Sequence, residues 1–133
     1  MKRAWLLTAL ILSVFALTGC QTTGNRTTSP VAVSGLPLKL AHFTSLNPDC
    51  SAAGTAVVRV SKNPEHGVVI VRSGEGYSTF PPENPRQQCN FRSTNGMNVI
   101  YVSSSSYTGP DSLAVDGFAG GQEYQLTFNL TVK

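Results

Sequence analysis

The sequence predicts an all-β domain, an antiparallel sandwich or barrel of about seven short strands. Three observations lead there. From Tyr124 to Val132 the chain alternates without a break, with Tyr124, Leu126, Phe128, Leu130 and Val132 set against Gln125, Thr127, Asn129 and Thr131. Such a period gives one buried and one wet face, and a one-residue slip would bury four polar side chains. Between Leu38 and this last strand, short apolar runs are separated by Gly, Pro and Asn turn signals at intervals of roughly 8–12 residues. After residue 19, apolar residues never recur at helical spacing over ten or more positions.

The elements follow in chain order. Leu38, Leu40, His42 and Thr44 share one side of a first strand, with Lys39, Ala41 and Phe43 on the other. Asn47-Pro48-Asp49 signals a turn, and Ser51 to Gly54 is a small-residue loop beside Cys50. Thr55 to Ser61 is β-branched, placing Val58 and Val60 inward and Arg59 outward. After a loop from Lys62 to Gly67, Val68 to Val71 is a strand, and Ser73-Gly74-Glu75-Gly76 turns it back into Tyr77 to Phe80 as a hairpin. Pro81, Pro82 and Pro85 remove ladder donors and end that strand. Asn95-Gly96 is a tight-turn signal before Met97 to Val102. Ser103 to Ser106 is a loop, Leu113 to Phe118 a short strand weakened by Gly117, and Gly120-Gly121 a turn into the closing strand.

Ahead of this domain, Lys2 and Arg3 precede an apolar run from Ala4 to Leu17 broken only by Thr8 and Ser13. That is the plan of a secretory signal peptide, with an apolar core too short for a comfortable membrane span. Leu17-Thr18-Gly19-Cys20 resembles the lipobox of bacterial lipoproteins. The resemblance implies that residues 1–19 are removed, that Cys20 carries lipid, and that the bilayer is the first partner. Gln21, standing where inner-membrane lipoproteins have aspartate, implies the outer membrane; the periplasmic face is the expected side, though no residue in the chain fixes it. Residues 20–37 read as the lipidated cysteine and a flexible tether, since Gln21 to Leu36 is rich in Thr, Ser and Gly with Arg26 its only charge. About 17 residues of such coil span on the order of 20–25 Å. The folded domain is then expected over residues 38–133.

The formal charge of +3 shrinks once Lys2 and Arg3 leave, because eight basic residues then face seven acidic ones. Nothing in that balance suggests nucleic acid or a polybasic grip on lipid. With Cys20 set aside, Cys50 and Cys89 form a pair in a disulfide-permissive compartment. Joining them closes a loop of about 40 residues, with roughly 4 kcal/mol of stabilisation in the chain-entropy picture. The alternative is free thiols or metal ligands, but no histidine stands at ligand-like spacing from either.

Two stretches carry a further resemblance. Asn63-Pro64-Glu65-His66-Gly67-Val68-Val69 is similar to the proline-x-x-glycine turn that enters a strand in bacterial Ig-like and cadherin-like repeat domains. Val99 to Val102, followed by Tyr107-Thr108-Gly109-Pro110-Asp111-Ser112-Leu113, is similar to their tyrosine-x-glycine-x-aspartate segment. The resemblance implies an Ig-like antiparallel β-sandwich with an adhesive or spacer role. It departs from the pattern at Pro110 and in having Cys50 and Cys89, and the domain stands alone instead of in an array. In physical terms Pro64 presets its backbone and Gly67 supplies a positive φ for a turn. Tyr107 donates its hydroxyl to nearby backbone, as in a tyrosine corner. Asp111 either caps the turn after Gly109 or joins Asp116 at calcium, though two carboxylates fall short of the six to eight oxygens that ion takes.

No catalytic set stands out. His42 and His66 are the only histidines. No serine occupies a nucleophile elbow, no carboxylate pair suggests acid–base work, and no cofactor or metal is expected. Two readings remain. One is a non-catalytic envelope module binding an envelope protein or polymer through exposed aromatics, with Tyr77, Phe80 and Phe91 as candidates. The other is a periplasmic inhibitor of a cell-wall hydrolase. Ser73-Gly74-Glu75-Gly76-Tyr77 resembles the serine-glycine-x-x-tyrosine segment of lysozyme inhibitors, which requires Ser73 and Tyr77 exposed together at a turn tip.

Overall fold

The alternation at the C-terminus builds the centre of the molecule. The computed structural model describes residues 24–133, so the expected leader, the Leu17–Cys20 motif and Cys20 itself lie outside the described residues. In chain order the strands are β1 (Gly24–Thr28), β2 (Val31–Ala32), β3 (Pro37–Phe43), β4 (Ser45–Leu46) and β5 (Ala52–Gly54). They continue with β6 (Val57–Lys62), β7 (Gly67–Tyr77), β8 (Ser93–Ser103), β9 (Gly109–Ala119) and β10 (Gln122–Val132). A 3-10 turn, Gln87–Phe91, interrupts the run between β7 and β8. Gly120 and Gly121 join β9 to β10 with φ of 59° and 75°, the left-handed pair that a tight hairpin needs.

One sheet has the order β1-β10-β9-β6, with β2 also on β10, and the other the order β3-β8-β7. With β3, β8 and β7 facing β10, β9 and β6, the chain is an Ig-like sandwich. Both sheets fill the core: Val99 and Tyr101 come from β8, Leu113 and Val115 from β9, and Phe128, Leu130 and Val132 from β10. Val58 and Val60 pack against it, as the alternation of β6 predicts. The small β4–β5 ladder lies in the connection from β3 to β6.

The expected flexible tether is corrected from Gly24 onward. β1 and β2 add to the edge of β10 in parallel, and Ala32 is buried in the core. Composition misled because an edge strand is held by its backbone ladder, and threonine suits a strand. Pro30 breaks the strand, yet its carbonyl still accepts the Thr131 N–H at 3.1 Å.

The faces of the first strand are also corrected. β3 carries a bulge between Lys39 and Ala41, which reverses the alternation after it. Phe43 therefore enters the core, while His42 turns to the other side and meets Asn98.

Two expected turns are strand. β7 and β8 pair without interruption from Gly67↔Ser103 to Tyr77↔Ser93, running through Ser73-Gly74-Glu75-Gly76 and Asn95-Gly96. The glycines serve a close approach instead, because a Cβ on Gly76 or Gly96 would strike the His42 ring. Gly67 likewise begins β7 without a positive φ; a side chain there would press on Tyr101 and the Val102 carbonyl.

Nor does Gly117 shorten its strand. β9 runs on to Ala119, and the Phe43 ring lies where a Gly117 side chain would be. Gly117→Ala should therefore destabilise the domain by about 1–3 kcal/mol through overpacking. Urea unfolding checks this, and adding Phe43→Leu should recover part of the loss. An unchanged midpoint in Gly117→Ala would mean that the ring yields freely.

Candidate functional site

Because β1 and β2 pair only with β10, the outer edge of β3 stays free and the sandwich gapes along that side. A cleft of about 730 Å³ lies there, within the usual size range of small-ligand sites. Its walls include Leu40 of β3 and Tyr124, Leu126 and Phe128 of β10, and its rim takes in Arg26 of β1 and, from the segment that starts at the end of β7, Tyr77 to Pro81, Asn84 and Arg86. That segment is pinned in several places. The Cys50–Cys89 disulfide, expected from the sequence, joins the turn before β5 to the 3-10 turn. Gln88 Nε2 donates to the Pro48 carbonyl at 2.6 Å, and Asn90 bonds both the N–H and the carbonyl of Phe80 at 2.9 and 2.8 Å.

The electrostatics of the cleft are one-sided. Arg26 and Arg86 line it, and no aspartate or glutamate does. Arg86 is held by a bond from Nε to the Leu46 carbonyl, which leaves the ends of its guanidinium fork to face other groups. Among the described residues the one ion pair is Arg59–Asp116 at 3.1 Å, so neither cleft arginine is neutralised by a carboxylate. Ser78 lines the cleft and is only 6% exposed, yet its hydroxyl has no hydrogen-bond partner. His42 bonds Asn98 Oδ1 through Nδ1 at 2.8 Å, and its buried Nε2 has none either. Two unpartnered atoms are not bonded to each other, so Ser78 and His42 form no serine–imidazole relay.

The residues singled out in the sequence separate. Tyr77 and Phe80 both line the cleft. Phe91 is 78% exposed but lies outside it, as does the exposed Ser73. Ser73 and Tyr77 project from one face of a continuous strand, not from a turn tip.

Asp111 and Asp116 sit an odd number of places apart on β9 and so face opposite ways. Asp116 pairs with Arg59 on the outer face. Asp111 accepts from the backbone of Glu65 and His66 at 3.0 and 3.1 Å and from the Tyr101 hydroxyl at 2.7 Å. It caps the turn before β7, not the one after Gly109. No group of three His, Cys, Asp or Glu side chains is placed to hold a metal among the described residues. Tyr107 makes the expected corner bond, to the Pro110 carbonyl at 2.6 Å, and its ring stacks on His66 at 4.0 Å.

Sequence reasoning missed Arg26, Arg86, Ser78 and Tyr124 as neighbours in one site. The available signal was small: Arg26 is the lone charge of its segment, and Arg86 directly follows the proline-rich run.

The fold and site together define a class, an Ig-like sandwich with a cationic cleft at one open side. No family model matches the chain, and neither a curated protein nor a solved structure matches it.

Proposed function

We propose that this chain is a lipid-anchored envelope protein whose Ig-like domain binds an envelope component without chemistry of its own. The observation that carries the binding role is the cleft, which is ligand-sized and walled by aromatics and guanidinium groups. Its histidine is tied to Asn98 and pairs with no nucleophile. The leader and Leu17–Cys20 support lipid on Cys20, and Gln21 supports the outer membrane. No cofactor or metal enters this reading. For the hydrolase-inhibitor alternative, Ser73 and Tyr77 are both exposed, but they stand on a continuous strand and not at the turn tip that reading requires.

Labelling with a fatty-acid probe should mark the wild-type protein, and Cys20→Ala should lose both label and membrane fractionation. A Cys20→Ala chain that is still processed and stays in the membrane pellet would refute the anchor. Crosslinking the lipidated protein in its own envelope should then recover an envelope protein or polymer. Recovery of a cell-wall hydrolase that the purified chain inhibits would favour the alternative.

A further inference from the structure

We infer that the cleft is a site for the phosphate head and adjoining methylenes of an anionic lipid. The charge of the cleft points to an anion, because both of its charged residues are arginines in a chain otherwise close to neutral. The Leu46 bond fixes the plane of the Arg86 guanidinium, and such a preset fork suits the paired oxygens of a phosphate. Ser78 adds a second, independent sign. A buried hydroxyl without a partner is uncommon, and a phosphate oxygen in the cleft would supply its acceptor. Beyond these polar groups the walls are apolar, with Phe80, Tyr124 and Leu126 offering surface for a short length of acyl chain.

Position gives the source. Gly24, the first residue of β1, lines the cleft, and it follows Cys20 by four residues. A chain that short reaches at most roughly 14 Å, so lipid on Cys20 would hold the cleft at headgroup level. For its source the inference rests on the anchor proposed above; the cleft chemistry stands without it.

The test uses the full chain purified in dodecyl maltoside and titrated calorimetrically with dodecyl phosphate. Wild type should show one saturable site. Arg86→Gln should weaken binding by about tenfold or more, as loss of a charge-assisted fork does. Arg26→Gln should weaken it several-fold, and Arg72→Gln, which lies outside the cleft, should leave it unchanged. Inorganic phosphate and dodecyl phosphocholine should each bind at least about tenfold more weakly, the first lacking the chain and the second the net charge. Inorganic phosphate binding as tightly as dodecyl phosphate would overturn the lipid assignment. Unchanged affinity in both arginine variants would overturn the site. Arg26 lies on an exposed strand away from the core, so its variant decides the matter even if Arg86→Gln misfolds. A chain that binds dodecyl phosphate but takes no lipid label refutes only the anchor, whereas a labelled chain that does not bind refutes only the cleft.

Discussion

Loss of the Cys50–Cys89 bridge should destabilise the domain by about 4 kcal/mol, a large part of what a domain this small has in total. The bridged residues are separated by 39 positions, and the loop they close restricts the unfolded chain. Cys89 is also fully buried, so a serine there would carry a hydroxyl into a dry site. A Cys50→Ser, Cys89→Ser chain should show a much lower urea midpoint and a steeper m-value, because its unfolded state expands further. A loss below about 1 kcal/mol would mean that the unfolded chain is compact without the bridge. The bridge also backs the wall from Tyr77 to Arg86, so the double variant should be cleaved first in that segment under brief proteolysis.

Asp111→Ala should be nearly as damaging, at about 3–4 kcal/mol. The change leaves the Tyr101 hydroxyl and the Glu65 and His66 N–H groups without their acceptor. The same carboxylate gives a pH signature. Burial pushes its pKa up, but the Tyr101 hydroxyl and the Glu65, Ser112 and His66 N–H groups outweigh this and hold it below the usual carboxylate range. Burial and the adjoining carboxylate together push the Tyr101 hydroxyl well up. With the folded value of Asp111 below the unfolded one of about 3.9, its stabilisation is complete above that pH and fades as pH falls through the folded value. Asp111→Asn keeps the shape but not the charge. Urea unfolding at pH 7 should separate it widely from wild type, and the gap should narrow toward pH 3. A gap of equal size at both pH values would show that the second acceptor oxygen, which asparagine lacks, and not the charge is what Asp111 supplies.

Much of the fold was legible because burial writes a pattern of its own. Strict alternation placed the face of β10, and Val58 and Val60 were assigned correctly for the same reason. Tyr107 and the paired cysteines were legible because few chemical roles are open to them. Glycine was the main source of error. Gly74, Gly76 and Gly96 read as turns, since a glycine needed for space looks in sequence like a glycine needed for a left-handed φ. What separates the two at Gly76 and Gly96 is the His42 ring, which comes from a strand more than thirty residues away, and at Gly74 the Asn98 side chain. The β3 bulge was equally hidden, as nothing between Lys39 and Ala41 announces an extra residue. The cleft was the least legible feature of all. Arg26 sat in a segment whose composition suggests coil, and Arg86 in one without periodicity; only the pairing of β1 with β10 and the disulfide bring them to one opening.

That parallel pairing also decides how the molecule meets a mechanical load. β1 and β10 run in the same direction, with five rungs from Gly24↔Tyr124 to Thr28↔Phe128. A pull between Gly24 and Lys133 draws the two strands in opposite senses along their length. Their hydrogen bonds are then loaded in shear and share the force, whereas strands peeled from one end would break one bond at a time. The most polar strand of the sandwich, which adds least to the core, is thus the one through which tension would have to pass.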